Sequence, residues 1–272
     1  MTNKIDLKLE QEIVYGIFKD FDRVCKKYNI KYSMEGGTLL GAVKFGDFVP
    51  WDDDVDIVML RDEYEKFLKV APSELSSEYF LQSYNNVREY PLNYAKICYR
   101  KSQINNYYYT HLKNMCHGIF IDIFPIDNVI PAKMKNQIHR IGLLTGARKM
   151  KLKVELANTK KWKKMLYKIV GLLPMKVLCK LLNHECTKYN KYDTGYCYEI
   201  CNSNTHFKPL PSNVYNDITN LKFRDGEFYA VKEYDKFLKS RFGENYMSVL
   251  PPEEERKPSH NQNITISTKN LF

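Results

Sequence analysis

The sequence predicts an α+β protein, with a mixed β-sheet flanked by helices, from three observations. Apolar residues between Leu9 and Tyr28 recur every three or four positions, as in a helix with one buried face. Residues 55–60 and 118–125 are runs of branched and aromatic residues around single charges, which is typical of buried strands. Residues 132–182 predict a long, basic helical region. Strands and helices therefore occupy separate stretches of the chain.

Shorter elements are predicted between these segments. Residues 31–35 predict a strand, Gly36-Gly37 a tight turn, and Thr38 the start of a second helix. A helix over 63–70 is expected to stop at Pro72. Further predictions are strands over 79–83, 94–100 and 104–109, the last two as a hairpin, and a C-terminal helix over 231–242.

The seven cysteines are scattered along a chain that shows no signal peptide and no apolar run long enough to span a bilayer. These features favour reduced thiols and a cytoplasmic protein. His184, Cys186, Cys197 and Cys201 remain an alternative zinc-binding set, although their spacing matches no common zinc module. The net charge of +10 predicts an anionic partner, which could be nucleic acid, a phosphorylated substrate or a membrane surface.

Residues 161–182 contain several lysines and no acidic residue. One interpretation is a helical pair packed on the domain with its lysines in solvent. The other is an interfacial helix that contacts the inner membrane face through anionic lipid. Pro174 is expected to kink this region, and the pattern leaves both interpretations open.

Carboxylates concentrate where the first buried strand begins. Asp52, Asp53, Asp54 and Asp56 fall within five positions, and Asp122 is the single charge inside Ile-Phe-Ile-Asp-Ile-Phe. A charge in a buried strand is costly unless it is paired or bound to a cation. Two such strands side by side would bring their carboxylates together, and the repulsion would favour either a raised pKa or a bound divalent ion such as Mg²⁺ or Mn²⁺. An acidic turn plus a buried ion pair is the simpler alternative. In an extended chain Asp54 and Asp56 share one face, so Asp53 is expected to be exposed and dispensable.

Five segments together resemble the LicD family of phosphotransferases, to which the fukutin-related proteins are also similar. The segments are Glu35-Gly-Gly-Thr-Leu-Leu-Gly-Ala-Val, Phe48-Val-Pro-Trp-Asp-Asp-Asp-Val-Asp-Ile, Tyr94-Ala-Lys-Ile, Gly118-Ile-Phe-Ile-Asp-Ile-Phe-Pro, and the closing Pro251-Pro252 with Arg256 and His260. The family is similar in turn to the nucleotidyltransferase superfold, whose pattern is Gly-Gly, Asp-x-Asp and a distant third Asp. The resemblance implies a nucleotidyltransferase-like catalytic core over 1–130, a basic helical insertion over 131–205 and a C-terminal segment over 206–272 that completes the active site.

The resemblance also implies roles for individual residues. Asp54, Asp56 and Asp122 would form a catalytic triad that binds two Mg²⁺ or Mn²⁺ ions. Apart from the resemblance, we expect one of the two residues that open the cluster, Asp52 rather than Asp53, to orient the metals without binding them directly. The implied substrate-binding residues are Gly36, Gly37 and Thr38 at the phosphates, and Lys96, Arg256 and His260 at phosphate or the leaving group.

The implied reaction moves phosphocholine from CDP-choline to a hydroxyl of a cell-surface glycan and releases CMP. The acceptor would be a lipid-linked precursor of teichoic acid, lipopolysaccharide or capsular polysaccharide. Trp51, Tyr90 and Tyr94 lie near the right motifs to offer aromatic faces to a trimethylammonium group. Other members act on other CDP-activated alcohols, and the region 130–205 aligns too little to identify the acceptor.

Two other functions are weighed against this one. A true nucleotidyltransferase would use the same metal triad but would release pyrophosphate rather than CMP. A basic nucleic-acid-binding module would explain the charge, yet it would leave the aspartates within buried strands unexplained, so we expect no nucleic-acid partner.

Overall fold

The structure is a computed structural model, and it describes residues 5–105, 109–157, 159–202, 208–256, 258 and 264–272. Within these ranges the chain forms an α+β fold, as predicted. The helices are α1 (Leu7–Lys27), α2 (Gly36–Phe45), α3 (Arg61–Glu74), α4 (Pro131–Lys151), α5 (Lys161–Val170), α6 (Met175–Thr187) and α7 (Tyr234–Phe242). The strands are β1 (Ser33–Met34), β2 (Asp56–Leu60), β3 (Tyr79–Gln82), β4 (Ala95–Tyr99), β5 (Ser102–Ile104), β6 (Phe120–Asn128), β7 (Tyr196–Tyr198), β8 (Leu210–Pro211), β9 (Ile218–Phe223), β10 (Gly226–Val231) and β11 (Ile264–Ile266).

A mixed sheet with the order β1-β2-β6-β4-β3 forms the centre, and β7 and β8 extend it from β6. Strands β2 and β6 are parallel, whereas β4 runs antiparallel to β6. The register places Asp56 opposite Asp122, and Asp122 opposite Lys96. Three neighbouring strands therefore carry two carboxylates and one ammonium group at a single level of the sheet.

Helix α1 connects the sheet with the C-terminal hairpin formed by β9 and β10. Phe18 and Phe21 are fully buried, and the Phe18 ring stacks on Phe228 of β10 with 4.1 Å between ring centroids. Burying aromatic rings of this size contributes about 2–3 kcal/mol each. This shared core fixes the first helix and a segment about two hundred positions later against the same sheet.

Several boundaries differ from the predictions. Helix α2 begins at Gly36, so the glycines form its first turn rather than a turn before it. Helix α3 continues through Pro72 to Glu74, because a proline in the last turn removes only one hydrogen bond of the helix. The predicted hairpin of residues 94–109 is wrong: β5 pairs with β11 instead, and 106–108 lie outside the described ranges.

The predicted helical region is confirmed as three helices, α4, α5 and α6. Pro174 does not kink a helix but stands at the N-terminal cap of α6, where its missing N–H is not needed. Val231 ends β10, so the C-terminal helix begins later than predicted, at Tyr234. Across the described ranges, every helix is too short or too polar to cross a bilayer.

Candidate active site

The acidic turn, residues 52–54, precedes β2 and is held from both sides. The Asp52 N–H donates to the Val49 carbonyl oxygen at 2.9 Å, and Gln11 Nε2 of α1 donates to the Asp52 carbonyl oxygen at 2.7 Å. One carboxylate oxygen from each of Asp52, Asp53 and Asp54 lies within 4.8 Å of the others. In the part of the chain that the structure describes, no other three metal-ligating side chains are grouped this closely, so the structure brings Asp52 and Asp53 to Asp54 at this spacing but not the predicted set of Asp54, Asp56 and Asp122.

The expectation that Asp53 is exposed is wrong. Asp53 is only 3% exposed, whereas Asp52 and Asp54 are partly exposed. Strand β2 begins only at Asp56, so the alternation of side chains in a strand does not apply to the turn before it. Asp53 therefore belongs to the carboxylate group rather than to the surface.

Gly36 and Gly37 place the N-terminus of α2 directly against carboxylates. A Cβ atom on Gly37 would lie 2.4 Å from Asp52 Oδ2 and would displace that carboxylate, and Gly36 has a positive φ of 53°. The Thr38 hydroxyl accepts a hydrogen bond from the Asp56 N–H at 2.9 Å, which fixes the start of β2. The positive end of α2 therefore faces the acidic turn and lowers the energy of its negative charge.

Asp122 forms a buried ion pair. Its Oδ1 lies 2.5 Å from Lys96 Nζ, and Lys96 is 2% exposed with its ammonium 3.2 Å from the centroid of the Phe120 ring. The Asp122 N–H donates to the Val55 carbonyl oxygen at 2.9 Å, so the start of β2 is connected to β6 at this level. One component of the simpler alternative, a buried ion pair, is thus present in the structure.

The single positive charge of Lys96 does not neutralise the several carboxylates around it. Burial raises the pKa of Asp56 well above its usual value, and Asp54 and Asp122 raise it further through repulsion. Burial and then Asp54 raise the pKa of Asp52 to about 8. Hard carboxylate oxygens that repel one another in a confined space are the donors that Mg²⁺ and Mn²⁺ prefer. The residues present therefore fit a divalent cation.

A second ion pair, at the opposite end of β2 and β6, shows the contrast. Arg61 donates from Nε and Nη2 to the two carboxylate oxygens of Asp127, at 2.8 and 2.6 Å, and Asn190 adds a third hydrogen bond at 2.7 Å. Both charges of this pair are satisfied by protein groups. The excess of negative charge is confined to the end that carries Asp56 and Asp122.

The structure adds Glu35, Glu199 and Arg241, to which the sequence analysis gave no role. Arg241 Nη2 donates to Glu35 Oε1 at 2.7 Å, and burial raises the pKa of Glu35 to about 7 although Arg241 opposes the rise. Burial, Glu35 and Asp122 are among the causes that raise the pKa of Glu199 to about 8, and Glu199 Oε1 is shielded from solvent with no hydrogen-bond partner among the described residues. Glu199 is a single acid among apolar residues, which is the same signal that identified Asp122.

The other predicted site residues have varied positions. The Arg256 guanidinium lies 5.8 Å from the centroid of the Trp51 ring, so the C-terminal segment reaches the acidic turn. Tyr94 packs on Phe124 and lies 5.7 Å from Lys96 Nζ. Tyr90 is fully buried, and its ring is therefore not available to a ligand. His260 lies outside the described residues.

The alternative zinc set is not assembled. His184, Cys186, Cys197 and Cys201 all lie in described segments, but they do not form a group with ligand spacing. Burial raises the pKa of the Cys186 and Cys197 thiols to about 12, which keeps both protonated. These cysteines pack as ordinary apolar side chains.

Comparisons with known proteins point to one family. A family model described as LicD/FKTN/FKRP, nucleotidyltransferase domain, matches residues 29–141, a range that contains the glycines of α2, the acidic turn and Asp122. The lipopolysaccharide cholinephosphotransferase LicD of Haemophilus influenzae is 30% identical over 97% of this chain and 99% of its own length. The human ribitol 5-phosphate transferase FKRP is 50% identical over 40 residues, which are 14% of this chain and 8% of that protein.

Proposed function

Because the chain belongs to the LicD/FKTN/FKRP family, as a LicD-type phosphotransferase, we propose that it transfers phosphocholine from CDP-choline to a glycan hydroxyl and releases CMP. The observation that carries this proposal is the match to a lipopolysaccharide cholinephosphotransferase over almost the full length of both chains. The proposed acceptor is a lipid-linked precursor of lipopolysaccharide, teichoic acid or capsular polysaccharide.

A CDP-alcohol brings a negatively charged diphosphate to a site that is itself rich in carboxylates. Asp54, Asp56 and Asp122 would hold Mg²⁺ or Mn²⁺, and Asp52 would support them from the acidic turn. When bound, the metal would supply positive charge that neutralises the diphosphate. The raised pKa values of Asp52 and Asp56 support this assignment, because they result from burial and from repulsion between carboxylates, and a bound cation would offset both effects.

The chain's own groups would position the two substrates. Gly36 and Gly37 leave space for backbone N–H groups of α2 to contact phosphate oxygens. Lys96 would hold Asp122 in place and add positive charge at the transferred phosphate, and Arg256 would bind the CMP phosphate. Tyr94, beside Lys96, would offer its ring to the trimethylammonium group.

The transfer itself exchanges one phosphorus–oxygen bond for another. The acceptor hydroxyl would lose its proton at Asp122, and its oxygen would attack the phosphorus that carries choline. The bond from that phosphorus to the oxygen of the CMP phosphate would break as CMP leaves. Phosphoryl transfer depends mainly on alignment and charge neutralisation, which is what a rigid group of carboxylates and cations on adjacent strands supplies.

The test is Asp54→Ala and Asp56→Ala, assayed for CMP release from CDP-choline with Mg²⁺. We expect each change to reduce turnover about 10²-fold or more, as the loss of one preorganised electrostatic group does in other enzymes. Asp62→Ala, an exposed carboxylate in the first turn of α3, is the matched control and should retain activity. Normal turnover in either Asp54→Ala or Asp56→Ala would refute the metal assignment, and release of pyrophosphate would indicate a nucleotidyltransferase instead.

A second donor class has its own support, because the local match to FKRP connects the chain to a ribitol 5-phosphate transferase. A thermal-shift screen of CDP-choline, CDP-glycerol and CDP-ribitol with Mg²⁺ separates the donors, since a ligand that binds only the folded state raises its stability. We expect CDP-choline to give the largest rise in Tm. A rise with CDP-ribitol alone would replace choline in the proposal.

A further inference from the structure

A large apolar surface lies on α5, α6 and the turn between them, which we call the α5–α6 face. Helix α5 has no buried residue, and its exposed apolar side chains are spaced as one stripe along a helix. Leu172, in the turn, is 81% exposed. The exposed large apolar residues of the face are Trp162, Met165, Leu166, Ile169, Leu172, Leu173, Val177 and Leu181.

The packing beneath the face fixes this orientation. The Tyr167 ring lies against Gly146 of α4, where a Cβ atom would approach the ring to 2.4 Å. Lys151 Nζ donates to the Gly171 carbonyl oxygen at 3.0 Å and holds the end of α5. Helix α6 buries its other side through Leu178 and Leu182. The apolar stripe therefore points outward because the opposite sides of both helices are already packed.

The charged side chains in the segment that forms the stripe are all positive. Residues 160–184 contain no acidic residue, and the lysines of this stretch are Lys160, Lys161, Lys163, Lys164, Lys168, Lys176 and Lys180. A face that only contacts water would carry polar side chains where this one carries eight large apolar ones. Apolar side chains bordered by lysines are instead typical of helices that lie in the interface of an anionic bilayer.

We propose that the α5–α6 face docks the protein on the surface of an anionic lipid bilayer. The apolar stripe enters the boundary between headgroups and acyl chains, and the lysines contact lipid phosphates. A groove of about 630 Å³ between α4 and α5, lined in part by Ile138, Trp162 and Leu166, gives the apolar contact additional depth.

The α5–α6 face lies on the side of the protein that borders the candidate active site, although the docking proposal does not rest on this. Gly142 and Tyr167 line both this groove and a cavity of about 220 Å³ whose walls include Tyr94 and Asn202. Tyr94 lies beside Lys96, so the groove, the cavity and the candidate active site lie on neighbouring elements. In the proposed function a lipid-linked acceptor would approach from this side, whereas the docking itself needs only the surface.

The experiment uses the full chain with vesicles of phosphatidylcholine, with or without phosphatidylglycerol, in a co-sedimentation assay. We expect binding to the anionic vesicles that falls as salt is added. Lys163→Gln and Lys168→Gln should each weaken it about fivefold, and Ile169→Glu with Leu172→Glu should abolish it. In a Trp51→Phe background, the fluorescence of Trp162 should shift to shorter wavelength when anionic vesicles are added.

Matched controls lie elsewhere on the surface. Leu9→Glu changes an apolar residue of α1 that is 46% exposed, and Lys66→Gln removes an exposed lysine of α3, so neither should alter vesicle binding. The lysine, Ile169/Leu172 and control variants, each made without Trp51→Phe, should keep their thermal unfolding transition and their CMP release without vesicles, because these side chains are exposed. Equal binding to neutral vesicles, or retained binding by the Ile169→Glu/Leu172→Glu variant, would overturn the proposal. A lipid-free dimer that this double change dissociates would also overturn it by assigning the face to a second copy.

Discussion

Replacing Lys96 with Met tests the electrostatic account of the candidate site most directly. Lys96 Nζ lies 2.5 Å from Asp122 Oδ1, and both side chains are at most 10% exposed. Methionine keeps the length and apolar stem of lysine, so it preserves the packing on the Phe120 ring. The change therefore removes the ammonium charge and leaves the Asp122 carboxylate buried opposite Asp56.

The expected loss is large because the partner is left behind. Breaking a buried ion pair by removing one member costs about 3–5 kcal/mol. At about 2–4 °C per kcal/mol for a chain of this size, Lys96→Met should lower Tm by roughly 6–20 °C in metal-free buffer. Adding Asp122→Asn to Lys96→Met should recover part of this loss, because the unpaired charge is then gone.

The assay is thermal unfolding of the parent and both variants with EDTA and with Mg²⁺. If the carboxylates bind Mg²⁺, the ion should raise the Tm of Lys96→Met more than that of the parent, because it replaces part of the missing positive charge. Lys101→Met, which removes the lysine of a partly exposed pair with Glu78, is the control and should leave Tm close to the parent value. A metal-free loss below about 1 kcal/mol for Lys96→Met would refute the reasoning.

Three further predictions concern the site. Gly37→Ala should displace the Asp52 carboxylate and lower the kcat/KM of CMP release by up to about 10²-fold, because a Cβ atom would lie 2.4 Å from Asp52 Oδ2. The pKa of Glu199 is raised from 4.5 to about 8, so its contribution to stability is complete below pH 4.5 and is lost as pH rises through 8. In metal-free urea unfolding, Glu199→Gln should therefore show a smaller decrease in the free energy of unfolding across this pH range. Arg256→Gln, beside Trp51, should raise the KM for CDP-choline about tenfold without changing Tm.

Two of these predictions have a control variant, and the third has a clear contradicting outcome. Gly142→Ala adds a methyl group where no heavy atom lies within 4 Å, and it should keep full activity. If the parent and Glu199→Gln proteins lose stability in parallel from pH 5 to 9, the raised pKa assigned to Glu199 is wrong. Arg23→Gln removes an exposed arginine of α1, and a KM for Arg256→Gln no higher than that of this control would exclude Arg256 from donor binding.

The sequence by itself determined the class of fold and indicated the carboxylates that lie at two buried strands. Continuous runs of branched and aromatic residues indicate buried strands, so β2 and β6 could be predicted from the sequence. The single charge inside the second run was enough to identify Asp122 as unusual. The same periodicity arguments predicted the helical region that became α4, α5 and α6. These features are local, because hydrophobic patterning within one element determines how that element is buried.

Only the tertiary structure decided which charges meet. The pairing of Lys96 with Asp122 depends on the register between two antiparallel strands, and a shift of one residue would have sent Lys96 to the other face. Asp53 is buried because a turn, rather than a strand, precedes β2. Glu35, Glu199 and Arg241 come from three distant segments, and β5 pairs with a strand at the end of the chain. Such contacts follow from how elements pack against each other, which no local pattern in the sequence specifies.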